Sequence, residues 1–199
     1  FKRGAGKAHD PIAAALWFRA AALQGHADAQ HEMGRAYQNG EGVAQSDGEA
    51  VSWYQKAAEQ GHAEAQNDLG FMLSSGRGVP EDQVRATGWY LKAAAQGHSI
   101  AQFNLGVRFA NGRGAELDES VAAFWYGKSA ALGDMGAQNN LAVMYQEGRG
   151  GLPRDHALAA KWLKKAAEQG HVGAQAGLGG MYLEGVGVEK DGAEAFRWL

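Results

Sequence analysis

Asp82-Gln-Val-Arg-Ala86-Thr-Gly-Trp89-Tyr90-Leu-Lys-Ala93-Ala94-Ala-Gln-Gly97-His98-Ser-Ile-Ala101-Gln102-Phe-Asn-Leu105-Gly106-Val-Arg-Phe109-Ala-Asn-Gly112-Arg-Gly114-Ala115 is copied, with substitutions, along almost all of the chain's 199 residues. Its tryptophan sets the register. All six tryptophans, Trp17, Trp53, Trp89, Trp125, Trp162 and Trp198, hold this one position, with steps of 36, 36, 36, 37 and 36 residues. The glycine after the first apolar run keeps step at Gly25, Gly61, Gly97, Gly133 and Gly170. The step of 37 falls where Gly150-Gly151-Leu152-Pro153 carries one extra loop residue. A fixed period in this range is the signature of a repeat array, in which each unit buries its apolar face against its neighbours. The expectation is an all-α fold of 36-residue helix-turn-helix repeats forming a single repeat domain over residues 1–199. It divides into a partial unit 1–9, full units 10–45, 46–81, 82–117, 118–154 and 155–190, and a partial unit 191–199.

Each unit reads as two helices. The first follows Asp10, Ser46, Asp82, Asp118, Asp155 or Asp191, all good N-cap residues. Ser46 with Glu49, and Asp191 with Glu194, have the spacing of a capping box. Pro11 fits the first helical position, and Pro80 and Pro153 stand just outside helices. Ala50, Trp53, Tyr54, Ala57 and Ala58 form an apolar stripe at helical spacing, and Gly61 then supplies a left-handed stop. The second helix begins at His62 or Ala63 and turns Ala65, Leu69, Phe71 or Met72, and Leu73 inward. Gly70 lies in its middle, where glycine costs about 1 kcal/mol against alanine. The equivalents Gly34, Gly106, Ala142 and Gly179 are all small, so a neighbouring helix backbone is expected to cross there. Helices of this length are marginal in isolation, and stacking must hold them.

Composition narrows the function. A net charge of −3 and a pI near 6.2 give no electrostatic footprint for nucleic acid. No apolar run is long enough to cross a membrane, so no membrane insertion is expected. The absence of cysteine excludes disulfides and thiolate metal sites. Phe1-Lys-Arg-Gly4-Ala-Gly6 aligns with Tyr37-Gln-Asn-Gly40-Glu-Gly42, and Leu199 falls inside the first helix of a further unit. Both ends thus read as cut within a repeat, and a fragment of a longer, monomeric array is expected.

The residues that could carry chemistry recur too often to be catalytic. His26, His62, His98 and His171 follow the helix-ending glycine, and Asp134 takes the fifth slot. Copies on adjacent repeats are about 10 Å apart, too far to share a zinc ion whose ligands sit at about 2 Å. Capping of the second helix is the expected role. Gln30, Gln66, Gln102, Gln138 and Gln175 recur without exception, as an internal hydrogen bond made once per unit would require. The Gly-x-Gly turns lack the third glycine and the preceding strand of a dinucleotide loop. Arg77, Arg113 and Arg149 within them could form a ladder toward an acidic or phosphate-bearing partner, or be solvated loop charges. Gly-x-Ser-x-Gly and Ser-x-x-Lys are absent, so no nucleophile, cofactor or metal site is assigned.

The pattern Ala-x-x-Trp-Tyr-x-Lys-Ala-Ala-x-x-Gly-His-x-x-Ala-Gln-x-x-Leu-Gly, followed by Gly-x-Gly-Val, resembles the Sel1-like repeat, a relative of the tetratricopeptide repeat. The resemblance covers essentially the whole chain. Leu163 in place of the aromatic, Asp134 in place of histidine and Ala142 in place of glycine are the departures. The resemblance implies a right-handed α/α superhelix whose first helices line a concave side, and a non-catalytic scaffold or adaptor that binds a protein or peptide. It implies a bacterial periplasmic or secreted setting, with the cytoplasm as the alternative. Cysteine-rich relatives suggest a different class, an envelope protein that binds or hydrolyses β-lactam or peptidoglycan-type ligands. This chain has none of their cysteines.

The copies differ most on the side of the first helix opposite Trp53 and Ala57. That row reads Ile12, Leu16, Arg19 and Leu23, then Gly48, Ser52, Gln55 and Glu59, then Val84, Gly88, Leu91 and Ala95. It continues with Ser120, Phe124, Gly127 and Ala131, and with Ala157, Lys161, Lys164 and Glu168. Apolar side chains left open to solvent mark interaction sites. The candidate partner-binding residues are therefore Ile12, Leu16, Arg19, Leu23, Ser52, Gln55, Val84, Gly88, Leu91, Phe124, Gly127, Lys161 and Lys164, forming a peptide groove that is apolar around Leu91 and Phe124 and basic near Lys161 and Lys164.

Overall fold

A computed structural model describes residues 10–199; the alignment of Phe1 to Gly6 with a later loop lies outside the described residues. Among the described residues there are eleven helices and no strand. The first helices of the units are α1 (Pro11–Leu23), α3 (Asp47–Glu59), α5 (Gln83–Ala95), α7 (Glu119–Ala131), α9 (His156–Glu168) and α11 (Gly192–Trp198). The second helices are α2 (Ala27–Asn39), α4 (Ala63–Ser75), α6 (Ser99–Asn111), α8 (Met135–Glu147) and α10 (Val172–Glu184). The chain divides into two compact units, one up to Ala93 and one from Ala94, with the boundary inside α5.

The boundaries follow from local chemistry. Asp10, Ser46, Asp82, Asp118, Asp155 and Asp191 each accept a backbone N–H of the first turn through the side chain. The capping boxes do not close. The N–H groups of Ser46 and Asp191 donate instead to the carbonyls of Tyr37 and Tyr182 on the preceding helix, so the reciprocal acid has no N–H to meet. Glu194 turns to Arg197 and Trp198. Gly61 and its four equivalents carry positive φ directly after the first helix, the conformation a side chain would oppose.

Burial follows the expected stripe. Ala50, Trp53, Tyr54, Ala57 and Ala58 are all buried on α3, as are Ala65, Leu69, Met72 and Leu73 on α4. Phe71 points out, 44% exposed, so Met72 fills the position for which both were candidates. In the first unit α2 packs on both α1 and α3, and α3 on α4; in the second, α6 through α11 pack in succession. Trp53 joins Ala22, Ala29 and Met33 in one core cluster, and Trp162 lies against the clusters of two successive repeats. Trp53 is 7% exposed, whereas Trp17 is 78% exposed, no helix preceding α1 among the described residues.

Candidate partner-binding face

The recurrent residues form a framework that leaves the outer row free. Gln30, Gln66, Gln102, Gln138 and Gln175 each donate from Nε2 to a carbonyl in the last turn of their own unit's first helix, at 3.1–3.2 Å. In two units the glutamine at the end of the next first helix donates back: Gln60 to Gln30 Oε1 at 2.6 Å and Gln169 to Gln138 Oε1 at 2.8 Å. Leu132 occupies that slot after α7, and Gln102 Oε1 is buried with no partner.

The histidine slot caps the second helix. Nδ1 of His62, His98 and His171 accepts from Ala65, Ala101 and Ala174, and Asp134 accepts from Ala137. His26 makes no such bond. An Nδ1 that accepts leaves the proton on Nε2, and His62 Nε2 lies 3.3 Å from Asp28. His31, whose pairing with Glu32 lacks the second histidine of a zincin helix, has its ring 4.7 Å from that of His62, while its Nε2 meets Asp68 at 2.8 Å. Among the described residues, no group of three or more His, Cys, Asp or Glu could hold a metal ion.

Where a backbone crossing was expected at the mid-helix glycines, the neighbour of Gly34, Gly70 and Gly106 is an aromatic ring, while Gly179 faces the Leu199 side chain and the Ala195 backbone carbonyl. A Cβ on Gly34 would come within 2.5 Å of the Tyr54 ring, one on Gly70 within 3.0 Å of Tyr90, and one on Gly106 would overlap Tyr126. Burial raises the Tyr54 and Tyr126 hydroxyls above the ordinary phenol range, and Tyr54 donates to Gln38 at 2.6 Å. At the fourth seam both partners change together: Ala142 replaces glycine, Leu163 replaces tyrosine, and the two share one cluster.

The arginine ladder is not free. Arg77 grips Asp47 with two bonds, Nη2 at 2.8 Å and Nε at 3.1 Å. Arg149 pairs in the same way with Glu119, and with Glu147 at 2.9 Å. Hydrogen bonds from Arg149 hold the Glu119 carboxyl below the usual carboxylate range and raise Arg149 further. The pairs fasten the Gly-x-Gly loop to the start of the unit's first helix, where Gly78 meets the Asp47 backbone too closely for any side chain. The loop is a structural clasp. Arg113 is exposed, and the slot that holds Asp47 and Glu119 elsewhere is Gln83 in its repeat.

The outer row is open. In the first unit Ile12, Leu16, Arg19 and Leu23 on α1, Ser52 and Gln55 on α3, and Val84, Gly88 and Leu91 on α5 are all exposed, Leu91 by 40%. In the second unit Phe124 on α7 is 55% exposed and Lys161 and Lys164 on α9 are exposed, while Gly127 is half-buried. A Cβ on Gly88 or Gly127 would meet nothing within 4 Å. Phe124 stands edge-on to Trp125 at 5.1 Å, with Lys128 over its ring at 5.6 Å. Lys161 and Lys164 border a cavity of about 170 Å³ whose other walls include Ala160, Leu178, Tyr182 and Val188. The last three lie at positions with an apolar residue in nearly every copy, so no sequence signal marked them as lining a cavity. No described helix is long and apolar enough to cross a membrane.

The Sel1 repeat family model matches residues 1–26, 27–62, 63–98, 99–134, 136–171 and 172–199. No curated protein matches the chain. Among solved structures it is similar to a protective antigen present in uropathogenic Escherichia coli strains that displays an SLR fold: 38% identity, TM-score 0.91, over 95% of this chain and 40% of that one. It is also similar to a Sel1 repeat protein from Oxalobacter formigenes: 34% identity, TM-score 0.84, over 92% of this chain and 53% of that one. An immunity protein from Pseudomonas aeruginosa shares the fold alone, at 18% identity and TM-score 0.57, over 97% of this chain and 69% of that one. The chain thus spans two fifths and about half the length of the first two.

Proposed function

The chain belongs to the Sel1 repeat family, and from that premise we propose that it is a non-catalytic scaffold that binds a partner protein or peptide on the outer row of its first helices. One observation carries this: the residues that differ from copy to copy on the first helices are mostly exposed, whereas the repeated glutamines, the tyrosine rings seated at glycines, and Arg77 and Arg149 are held in internal locks. Ile12, Leu16, Val84, Leu91 and Phe124 leave large apolar surfaces in water at positions the framework does not need. Arg19, Ser52 and Gln55 in the first unit and Lys161 and Lys164 in the second add polar and basic side chains, and Gly88 and Gly127, one in each unit, allow a ligand backbone close approach. The proposed working form is a monomer in a bacterial periplasm or outside the cell, with the cytoplasm as the alternative; the bacterial origin of the relatives above supports the bacterial source.

The test is a Leu91→Ser, Phe124→Ser double variant. Both side chains are exposed, so helicity by circular dichroism is expected to stay unchanged. Capture of partner from a lysate of the natural host is expected to be lost. Equal capture by the variant and the parent would remove the outer row from the binding surface.

A further inference from the structure

We propose that Asn111 is a site of self-modification: the backbone nitrogen of Gly112 closes on the Asn111 side chain, expels its amide as ammonia and leaves a carboxylate that Arg113 then holds. Of the chain's six asparagines, only Asn39 and Asn111 precede glycine. A following residue without a Cβ leaves its nitrogen open to the side-chain carbon. Both asparagines end a second helix, α2 and α6, and both are exposed. Gly40 and Gly112 after them are left-handed, with φ of +73° and +65°.

The step needs only water. A base takes the proton of the Gly112 N–H, and the nitrogen attacks Cγ of Asn111. The new N–Cγ bond closes a cyclic imide as the Cγ–Nδ2 bond breaks and ammonia departs, protonated by solvent. Water then opens the ring. Breaking the N–Cγ bond leaves aspartate in an ordinary main chain, and breaking the bond to the main-chain carbonyl leaves isoaspartate. In the closed helix the Gly112 N–H donates to the Arg108 carbonyl, and Asn111 Nδ2 donates to the Val107 carbonyl at 2.7 Å. These are bonds of an exposed last turn, the part of a helix that frays most readily. Ring closure therefore proceeds from the opened turn, more slowly than in an unfolded chain.

The adjoining charge separates Asn111 from Asn39. Attack passes through a nitrogen anion and a negatively charged tetrahedral carbon, which a nearby cation stabilises. The residue after the glycine is Arg113 at one site and Glu41 at the other. Arg113 is exposed and enters no salt bridge among the described residues. Glu41 accepts from Asn39 Nδ2 at 3.2 Å, so a carboxylate already stands where negative charge would develop at Gly40. The fold also accepts the product. In the next repeat the position of Asn111 is Glu147, whose carboxylate lies 2.9 Å from Arg149 Nη1. A carboxylate at Asn111 has the same spacing to Arg113 and receives the same charge-assisted bond.

The experiment incubates the full chain in mildly alkaline buffer, folded and in concentrated urea, and reads amide-to-acid conversion at Asn111 and Asn39 by peptide mass spectrometry. The folded chain is expected to convert Asn111 at least about threefold faster than Asn39, the order that opposite unit charges beside a solvated reacting anion give. Arg113→Glu should remove that advantage, Arg113→Lys should keep it, and Glu41→Arg should speed conversion at Asn39, each with unchanged helicity. An Asn111→Asp variant should keep the parent's urea midpoint, whereas Asn111→Asp with Arg113→Gln should fall below Arg113→Gln alone. Conversion of Asn111 in urea only, equal rates at the two sites, or a rate indifferent to the charge at Arg113 would each overturn the proposal. A cost of Asn111→Asp that is the same with and without Arg113 would show that the arginine does not hold the product.

Discussion

At the scale of single residues, the clearest lesson is that a recurrent side chain can have two halves with different origins. The donor half of the glutamine lock acts within one repeat, and its unbroken recurrence announced it. The acceptor half is met by a residue about 30 positions on, Gln60 for Gln30 and Gln169 for Gln138, and only packing joins those. Leu132 breaks the second half and strands Gln102 Oε1. Leu132 is exposed, so Leu132→Gln changes little else, and it is expected to stabilise the protein by about 1 kcal/mol as read from a urea midpoint. A neutral or negative result would show that the orphan oxygen costs nothing. The Arg149–Glu119 clasp has a sign in pH. Its carboxyl is held below the ordinary value of about 4.3, so the stability it contributes is present above that value and lost as pH falls through the lowered one. The stability difference between the parent and Glu119→Gln is expected to be level above about pH 5 and to shrink below about pH 4. A difference that grows on acidification would contradict the clasp.

At the scale of elements, the seams at Gly34, Gly70 and Gly106 are each a ring set into the notch of a glycine. The small residue in mid-helix was legible in the sequence, since only glycine or alanine occurs there. What fills the notch was not, because the filler lies on the next helix, and a backbone and a ring ask for the same absence of a Cβ. The fourth seam shows the pairing at work: Ala142 and Leu163, 21 residues apart, look like separate departures until α8 is seen packed on α9. Gly106→Ala should gain about 1 kcal/mol of helix propensity. It is nevertheless expected to lose about 1–3 kcal/mol net, because the new methyl meets the Tyr126 ring. In a thermal or urea double-mutant cycle with Tyr126→Leu, the pair should be less destabilised than the singles predict, by about 1 kcal/mol. Strict additivity would mean that the seam relaxes around the methyl at no cost.

At the scale of the molecule, in a slightly acidic chain of similar repeats the proposed partner would have one source of discrimination, the exposed positions at which the repeats differ. The sequence by itself determined the architecture and the placement of its helices, because a fixed period, an N-cap and a left-handed glycine act over a few residues and repeat in every copy. It also located the outer row, since helical geometry alone separates that row from the buried stripe. Only the tertiary structure decided what the repeated residues are for: which carbonyl a glutamine reaches, which ring fills a glycine notch, and that Arg77 and Arg149 close a clasp on Asp47 and Glu119 instead of facing a ligand. Those partners stand 8 to 30 residues away and meet by stacking, so local spacing carries no record of them.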